Sequence, residues 1–263
     1  MTRNEILRAL AANGDDRMLL AAALDKLETC RTRNYPTHTR FLDMRERALV
    51  QQAVRLAGGE RECLFWGGYA DAERTCALFY PDYLTEEEAK EDSPFVLLRA
   101  EKQPADTLTH RDYLGALMGL QINREMVGDI LVSDQGAEIL AMQEVADFLL
   151  THFAQAGRKR VSLSQQPLSD LKVPAVTETV GEGSVASLRL DSVIALVFSL
   201  SRGDAQAYIE KGLVFLNQQP CLKPGRDVDA GDRITVRGKG RARIEALGGM
   251  SRKGRQFIRY ARS

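Results

Sequence analysis

Little in this sequence invites metal or nucleophile chemistry. Its 263 residues hold three histidines, four cysteines and one tryptophan, and aromatics make up only 6%. Cys30, Cys63, Cys76 and Cys221 are scattered, with no Cys-x-x-Cys pair and no histidine at zinc-finger spacing. That indicates neither a disulfide framework nor a structural metal site, and suits a reduced, cytoplasmic compartment. No apolar run, Val193 to Phe198 included, is long enough to span a bilayer, and Met1-Thr2-Arg3-Asn4-Glu5 lacks the apolar core of a secretory signal. A glycine-rich cofactor loop is also missing, since Gly67-Gly68 and Gly248-Gly249 do not have the spacing it needs after a strand. No cofactor and no metal are therefore expected.

An excess of one charge is absent as well, because 36 Lys+Arg balance 36 Asp+Glu. The average hides a split. From residue 183 to the end there are 15 basic and 7 acidic residues, which leaves 21 basic and 29 acidic before it. The basic end is the electrostatic candidate for nucleic acid.

Within that end, residues 187–236 read as helix, helix, strand, strand. Leu190, Val193, Ile194 and Val197 recur at the spacing of one helical face, predicting a helix from about Asp191 to Leu200. Ser201 and Asp204 form a variant capping box for a second helix, which Gly212 ends. Strands are expected at 213–217 and 233–237, with turns at Lys223-Pro224-Gly225 and Gly231-Asp232.

Arg189 and Arg202 fall at helix N-termini, where the macrodipole disfavours a cation. Two readings follow. Either both are ordinary surface arginines, with Asp191 only capping its helix and neutralising Arg189, or they form a bidentate phosphate site beside free backbone N–H groups.

Beyond Val236 the chain grows more basic. From Arg237 to Arg262 there are nine Lys+Arg against Glu245 alone. Arg237, Lys239, Arg241 and Arg243 sit at every second residue, so on a strand they would line one face as a ladder for a phosphate backbone. A glycine-rich basic loop with Arg252, Lys253 and Arg255 precedes a last strand from Gln256 to Tyr260.

The rest of the chain is expected to be helical over residues 1–60, with Met18, Leu20, Leu24 and Leu27 on one helix and an Asp43 and Glu46 capping box before another. Residues 35–39 read as a loop that makes His38 a surface histidine. Over 61–165 strand-like runs at 63–66, 75–80 and 95–98 are followed by a helix capped by Thr109 and Asp112. A hairpin around residues 133–136 comes next, then a helix from Val145 to Phe153 and a closing strand near Val161. This predicts an α+β sandwich of the ferredoxin-like or RNA-recognition-motif kind, although the paired aromatics of a functional RNA-recognition motif are missing. Residues 166–186 read as a linker with one strand at 176–180, and 187–263 as the last domain.

Arg189-Leu190-Asp191, Leu200-Ser201-Arg202, Ala205, Ile209, Gly212-Leu213-Val214, Asn217, Pro224 and Gly231-Asp232 resemble the RNA-binding domain named after ribosomal small-subunit protein four. The second helix departs from that pattern, with Gly203-Asp204 and Gln206 where related domains are more basic. A wider resemblance, to the bacterial YlmH family, rests on Phe41-Leu42-Asp43, Gly67-Gly68-Tyr69, Ala72-Glu73-Arg74, Pro81-Asp82-Tyr83, the run from His110 to Leu120, and Gly128-Asp129-Ile130. It implies an N-terminal helical region, a ferredoxin-like middle and a C-terminal S-four-type domain. It also implies binding to structured ribosomal RNA or tRNA at the ribosome, with the large subunit as partner, in translation or the rescue of stalled complexes. The RNA-contacting set is then expected to be Arg189, Asp191, Arg202, Lys211, Arg237, Lys239, Arg241, Arg243, Arg252, Lys253 and Arg255.

Enzyme readings find little footing. Arg189-Leu190-Asp191 is also part of pseudouridine synthase active sites but lacks the preceding glycine and a following catalytic domain. Met250-Ser251-Arg252-Lys253 resembles the mobile lysine loop of tyrosyl-tRNA synthetases, without an upstream ATP motif. The expectation is a non-enzymatic RNA-binding protein. The alternatives are an RNA-modifying enzyme with its site in the middle domain, and a cell-division interaction module.

Overall fold

The computed structural model describes residues 1–174, 178–252 and 254–263. It divides into two compact units, residues 1–174 and 175–263.

The first unit opens with α1 (Arg3–Leu10), α2 (Gly14–Arg33), β1 (Thr37–His38) and α3 (Met44–Leu56). Asp43 caps α3 as expected, accepting from the Arg45 and Glu46 N–H groups while Glu46 reaches back to its own N–H. Leu20, Leu24 and Leu27 of α2 are buried with Ile6, Val50 and Val54, whereas Met18 is exposed.

β2 (Cys63–Trp66) and β3 (Cys76–Phe79) do not begin the middle sheet. They join β1 in a separate three-stranded sheet of order β1-β3-β2. β3 is buried on both faces: Ala77 and Phe79 enter the helical core, and Cys76 and Leu78 enter the core of the middle sheet. His38 therefore lies in a half-buried strand rather than a surface loop, and burial pushes its imidazole down. The acidic stretch after β3 contains a helix, α4 (Glu86–Glu91), capped by Thr85 and Glu88.

β4 (Phe95–Lys102), α5 (His110–Gly119), β5 (Val127–Ser133), β6 (Gly136–Met142), α6 (Gln143–His152), β7 (Gln155–Ala156) and β8 (Lys159–Gln166) form a five-stranded sheet of order β5-β6-β4-β8-β7 with its two helices. The run β4-α5-β5-β6-α6-β8, with every pairing antiparallel, is the ferredoxin-like arrangement. It begins at residue 95 rather than at 61.

Residues singled out by family resemblance meet at one end of this sheet. Asp129 accepts from the Tyr69 hydroxyl at 2.7 Å and from the Glu73 and Arg74 N–H groups at 2.7 and 3.2 Å. Burial pushes its carboxyl up against the pull of those bonds. Arg74 donates to the Val127 and Phe41 carbonyls. These contacts tie the glycine-containing loop to β5, which is a structural duty.

The second unit holds β9 (Thr179–Val185), α7 (Leu190–Val197), α8 (Arg202–Glu210), β10 (Val214–Leu216), β11 (Gln219–Pro220), β12 (Arg233–Val236), β13 (Gly240–Met250) and β14 (Gln256–Arg262). Its sheet runs β11-β10-β12-β13-β14-β9. Val193, Ile194 and Val197 of α7 and Ala205 and Ile209 of α8 pack on Val214, Ile234, Val236 and Ile244. Gly212 leaves α8 at φ +68°, a left-handed conformation that favours glycine. β9 occupies much of the stretch expected as a linker; residues 176 and 177 of the predicted strand lie outside the described residues. No helix among the described residues is long and apolar enough to cross a membrane.

Candidate nucleic-acid interface

The start of α7 is fixed by the turn that follows β11. Leu190 N–H donates to the Arg226 carbonyl at 2.7 Å, Asp191 N–H to the Pro224 carbonyl at 3.1 Å, and Val228 N–H to the Leu188 carbonyl at 3.0 Å. Gly225 lies beneath the Arg189 guanidinium, where a Cβ would come within 3.0 Å of Nη1. The turn thus brings Lys223 and Arg226 beside Arg189. Both are exposed and carry no ion pair among the described residues.

Asp191 is the centre. Its side chain is fully buried and gathers Arg189 (Nε at 3.2 Å, Nη2 at 3.0 Å), Arg202 (Nη2 at 3.4 Å), Gln206 (Nε2 at 3.4 Å) and the Ser192 hydroxyl (3.2 Å). Burial works against its charge, but the hydrogen bond and charge of Arg189, the charge of Arg202 and the Ser192 hydroxyl hold the carboxyl below the usual carboxylate range. The same bond and charge raise the Arg189 guanidinium. Asp191 is therefore more than a helix cap: it joins the beginnings of α7 and α8.

The chemical result is a held pair of half-exposed guanidinium groups, 42% and 57% accessible. Arg189 uses Nε and Nη2 on Asp191, which leaves Nη1 free to donate outward. The first N–H groups of α7 are taken by the turn carbonyls and Asp227 also acts on Arg189, so it is the two guanidinium groups, held against one buried carboxylate, that offer donors to phosphate oxygens. Gln206, Lys223 and Arg226 were not anticipated. Gln206 follows Arg202 by four residues on the same helical face, which is the signal that finds it.

The other expected contacts do not converge on this cluster. Lys211 caps the far end of α8, roughly 13 Å along a nine-residue helix from Arg202. Lys239 sits there too, its ammonium 6.0 Å from the Tyr208 ring centroid. The four-residue ladder does not form. β12 ends at Val236, and Gly238 (φ +76°) and Gly240 (φ +109°) turn the chain, so Arg237 and Lys239 lie in the turn rather than on a strand. A Cβ at residue 240 would meet the Ser263 carbonyl at 2.3 Å, so the turn requires glycine there.

Arg241 and Arg243 do share a face of β13, paired with Thr235 and Arg233 across β12. Arg243 meets Glu178 at 3.5 Å and Glu245 at 3.4 Å, and Glu245 also meets Arg259 at 3.1 Å, so much of that face is charge-balanced. Arg252 is exposed in the β13–β14 turn, and Lys253 lies outside the described residues. Arg255 points at β9, donating to the Ser184 hydroxyl at 3.0 Å and to the Ser184 carbonyl, a strand-to-strand tie.

Comparison with known proteins places this geometry. Residues 188–234, which contain the whole Asp191 cluster, match the S4 domain, and residues 101–170 match the "Putative RNA-binding domain in YlmH". A curated relative, "Ribosome-associated protein quality control protein P2" of Bacillus subtilis (strain 168), is 34% identical over 251 residues, covering 94% of this chain and 95% of its own. This chain belongs to the YlmH family. A solved YlmH structure, "Cell division protein ylmH from Streptococcus pneumoniae", aligns with a TM-score of 0.50 at 25% identity, covering 62% of this chain and 98% of that one. The YlmH assignment accounts for both units, since the matched RNA-binding domain falls on the ferredoxin-like sheet and the S4 domain on α7, α8 and the strands that follow.

Proposed function

We propose that this YlmH-family protein binds structured RNA at the ribosome, with the large subunit and its tRNA as the site of action, and serves quality control of stalled translation. The observation that carries the reading is the Asp191 cluster. One buried carboxylate sets two arginines at adjacent helix starts, inside the stretch that matches the S4 domain. The name of the Bacillus subtilis relative supports the ribosomal setting.

In this reading Arg189, Arg202, Lys223 and Arg226 contact phosphates, and Gln206 helps hold Asp191. Lys211, Arg237, Lys239, Arg241 and Arg252 extend the basic surface. The protein works in the cytoplasm, where ribosomes are, and its role is binding rather than catalysis. The double substitution Arg189→Ala with Arg202→Ala tests it. Affinity for ribosomal large subunits falls, and the slope of log affinity against log salt drops by about two, one for each lost phosphate contact. Wild-type affinity and slope in that variant refute the reading.

A further inference from the structure

In the ferredoxin-like sheet, Leu98 and Ala100 of β4 and Ala137 and Ile139 of β6 enter the core shared with α5 and α6. Arg99, Glu101 and Glu138 alternate with them and so belong to the opposite face. At the hairpin end of the sheet is a cavity of about 330 Å³ lined by Arg99, Lys102, Gln135, Gly136, Glu138 and Lys172. It is large enough for a ligand rather than a single water. Gly136 permits this close approach of strands: at φ +149°, a Cβ there would meet the Ala100 carbonyl at 1.9 Å.

Glu138 is 6% exposed. Its Oε1 accepts from Arg99 Nε at 2.8 Å, while Arg99 Nη2 is used on the Asp170 carbonyl at 2.9 Å. Its Oε2 is buried with no hydrogen-bond partner. A buried carboxylate oxygen can only accept, and leaving it without a donor is costly. Lys102 and Lys172 also line the cavity, and neither has an ion pair among the described residues.

We propose that this cavity takes an unstacked nucleotide whose base carries an exocyclic amine, the Glu138 carboxylate turning Oε2 toward the cavity to accept from the amine and the phosphate meeting Lys102 and Lys172. The inference rests on the RNA-binding reading and adds base selection to it. A carboxylate accepts from the cytosine N4 amine and repels the O4 carbonyl that uracil presents at the same position. Glu101 and Asp134 line the cavity beside the lysines, so a polyamine is the competing ligand.

The test titrates the full chain with CMP, UMP and spermidine, reading amide chemical shifts around the cavity. CMP binds at least about tenfold more tightly than UMP, the loss expected for one hydrogen bond to a charged group. In Glu138→Gln the amide can turn its NH₂ into the cavity, so the CMP preference disappears or reverses toward UMP. Equal affinity for CMP and UMP, no CMP binding up to about 10 mM, or spermidine binding in place of CMP overturns the proposal. The CMP to UMP ratio of the unsubstituted protein decides the matter even where Glu138→Gln fails to fold. Salt-dependent binding to ribosomal RNA, measured on the same samples, separates the outcomes. Retained binding without base discrimination sinks only the cavity, whereas absent binding sinks the RNA reading itself.

Discussion

Arg202, the first residue of α8, reaches the carboxylate of Asp191 in the first turn of α7, Nη2 to Oδ2 at 3.4 Å. One helix start thereby positions the cation of another. A cation at a helix N-terminus opposes the macrodipole by about 0.3–1 kcal/mol, and the buried anion offsets that cost while fixing the direction of the guanidinium.

Asp191→Asn is expected to lower stability by about 1–3 kcal/mol, the range for a disrupted buried hydrogen-bond partner, and to weaken RNA binding although no basic residue is lost. The folded carboxyl lies below its ordinary value, so the stability it adds is present above about pH 3.9 and lost as pH falls through the folded value. Acid titration of wild type and Asp191→Asn by circular dichroism checks both parts. The variant shows the smaller loss in that window.

Lys223→Ala and Arg226→Ala each leave the fold unchanged and reduce the salt slope of ribosomal RNA binding by about one. Filter binding across a salt series reads this directly. Unchanged slopes in both would remove the turn from the interface.

Arg255→Ala separates position from charge. Its guanidinium is committed to Ser184, so the substitution lowers the thermal midpoint, with a cost of about 1 kcal/mol, and leaves the salt slope intact. A slope reduced by one with the midpoint unmoved would place Arg255 on the RNA instead.

His38 and His110 both sit below the usual imidazole value, with burial the main cause in each. The unfolded chain therefore takes up protons first, and the stability these residues support is present above about pH 6.5 and lost as pH falls through their folded values. His38→Gln with His110→Gln flattens the pH dependence of urea unfolding below that point; a wild-type curve would refute the assignment.

What the sequence made legible was local. The capping boxes at Asp43 and Thr109 involve residues three apart, and both helices start where those residues predict. The i, i+3, i+4, i+7 stripe of α7 likewise requires only its own turn of helix. Strand partnership is different, because β2 and β3 carry no mark of which sheet receives them. Their assignment depends on β1 and on two cores that β3 fills from opposite faces. α4 was missed because three successive glutamates show no apolar period. The basic ladder failed because alternation counts residues without noticing that Gly238 and Gly240 reverse the chain between them. Arg189, Asp191 and Arg202 were read from the sequence individually, but the turn that delivers Lys223 and Arg226 to them is a tertiary fact.

β9 has a practical consequence. It lies before residue 188, where the S4 match starts, yet it pairs with β14 along its full length from Thr179 to Val185. A fragment cut at residue 187 would strip that cover and leave the N–H and C=O groups of β14 unpaired along one side, a template for sticking to a second copy. Anyone excising the basic C-terminal unit for biophysics should retain residue 178 onward, or expect aggregates to be mistaken for oligomers.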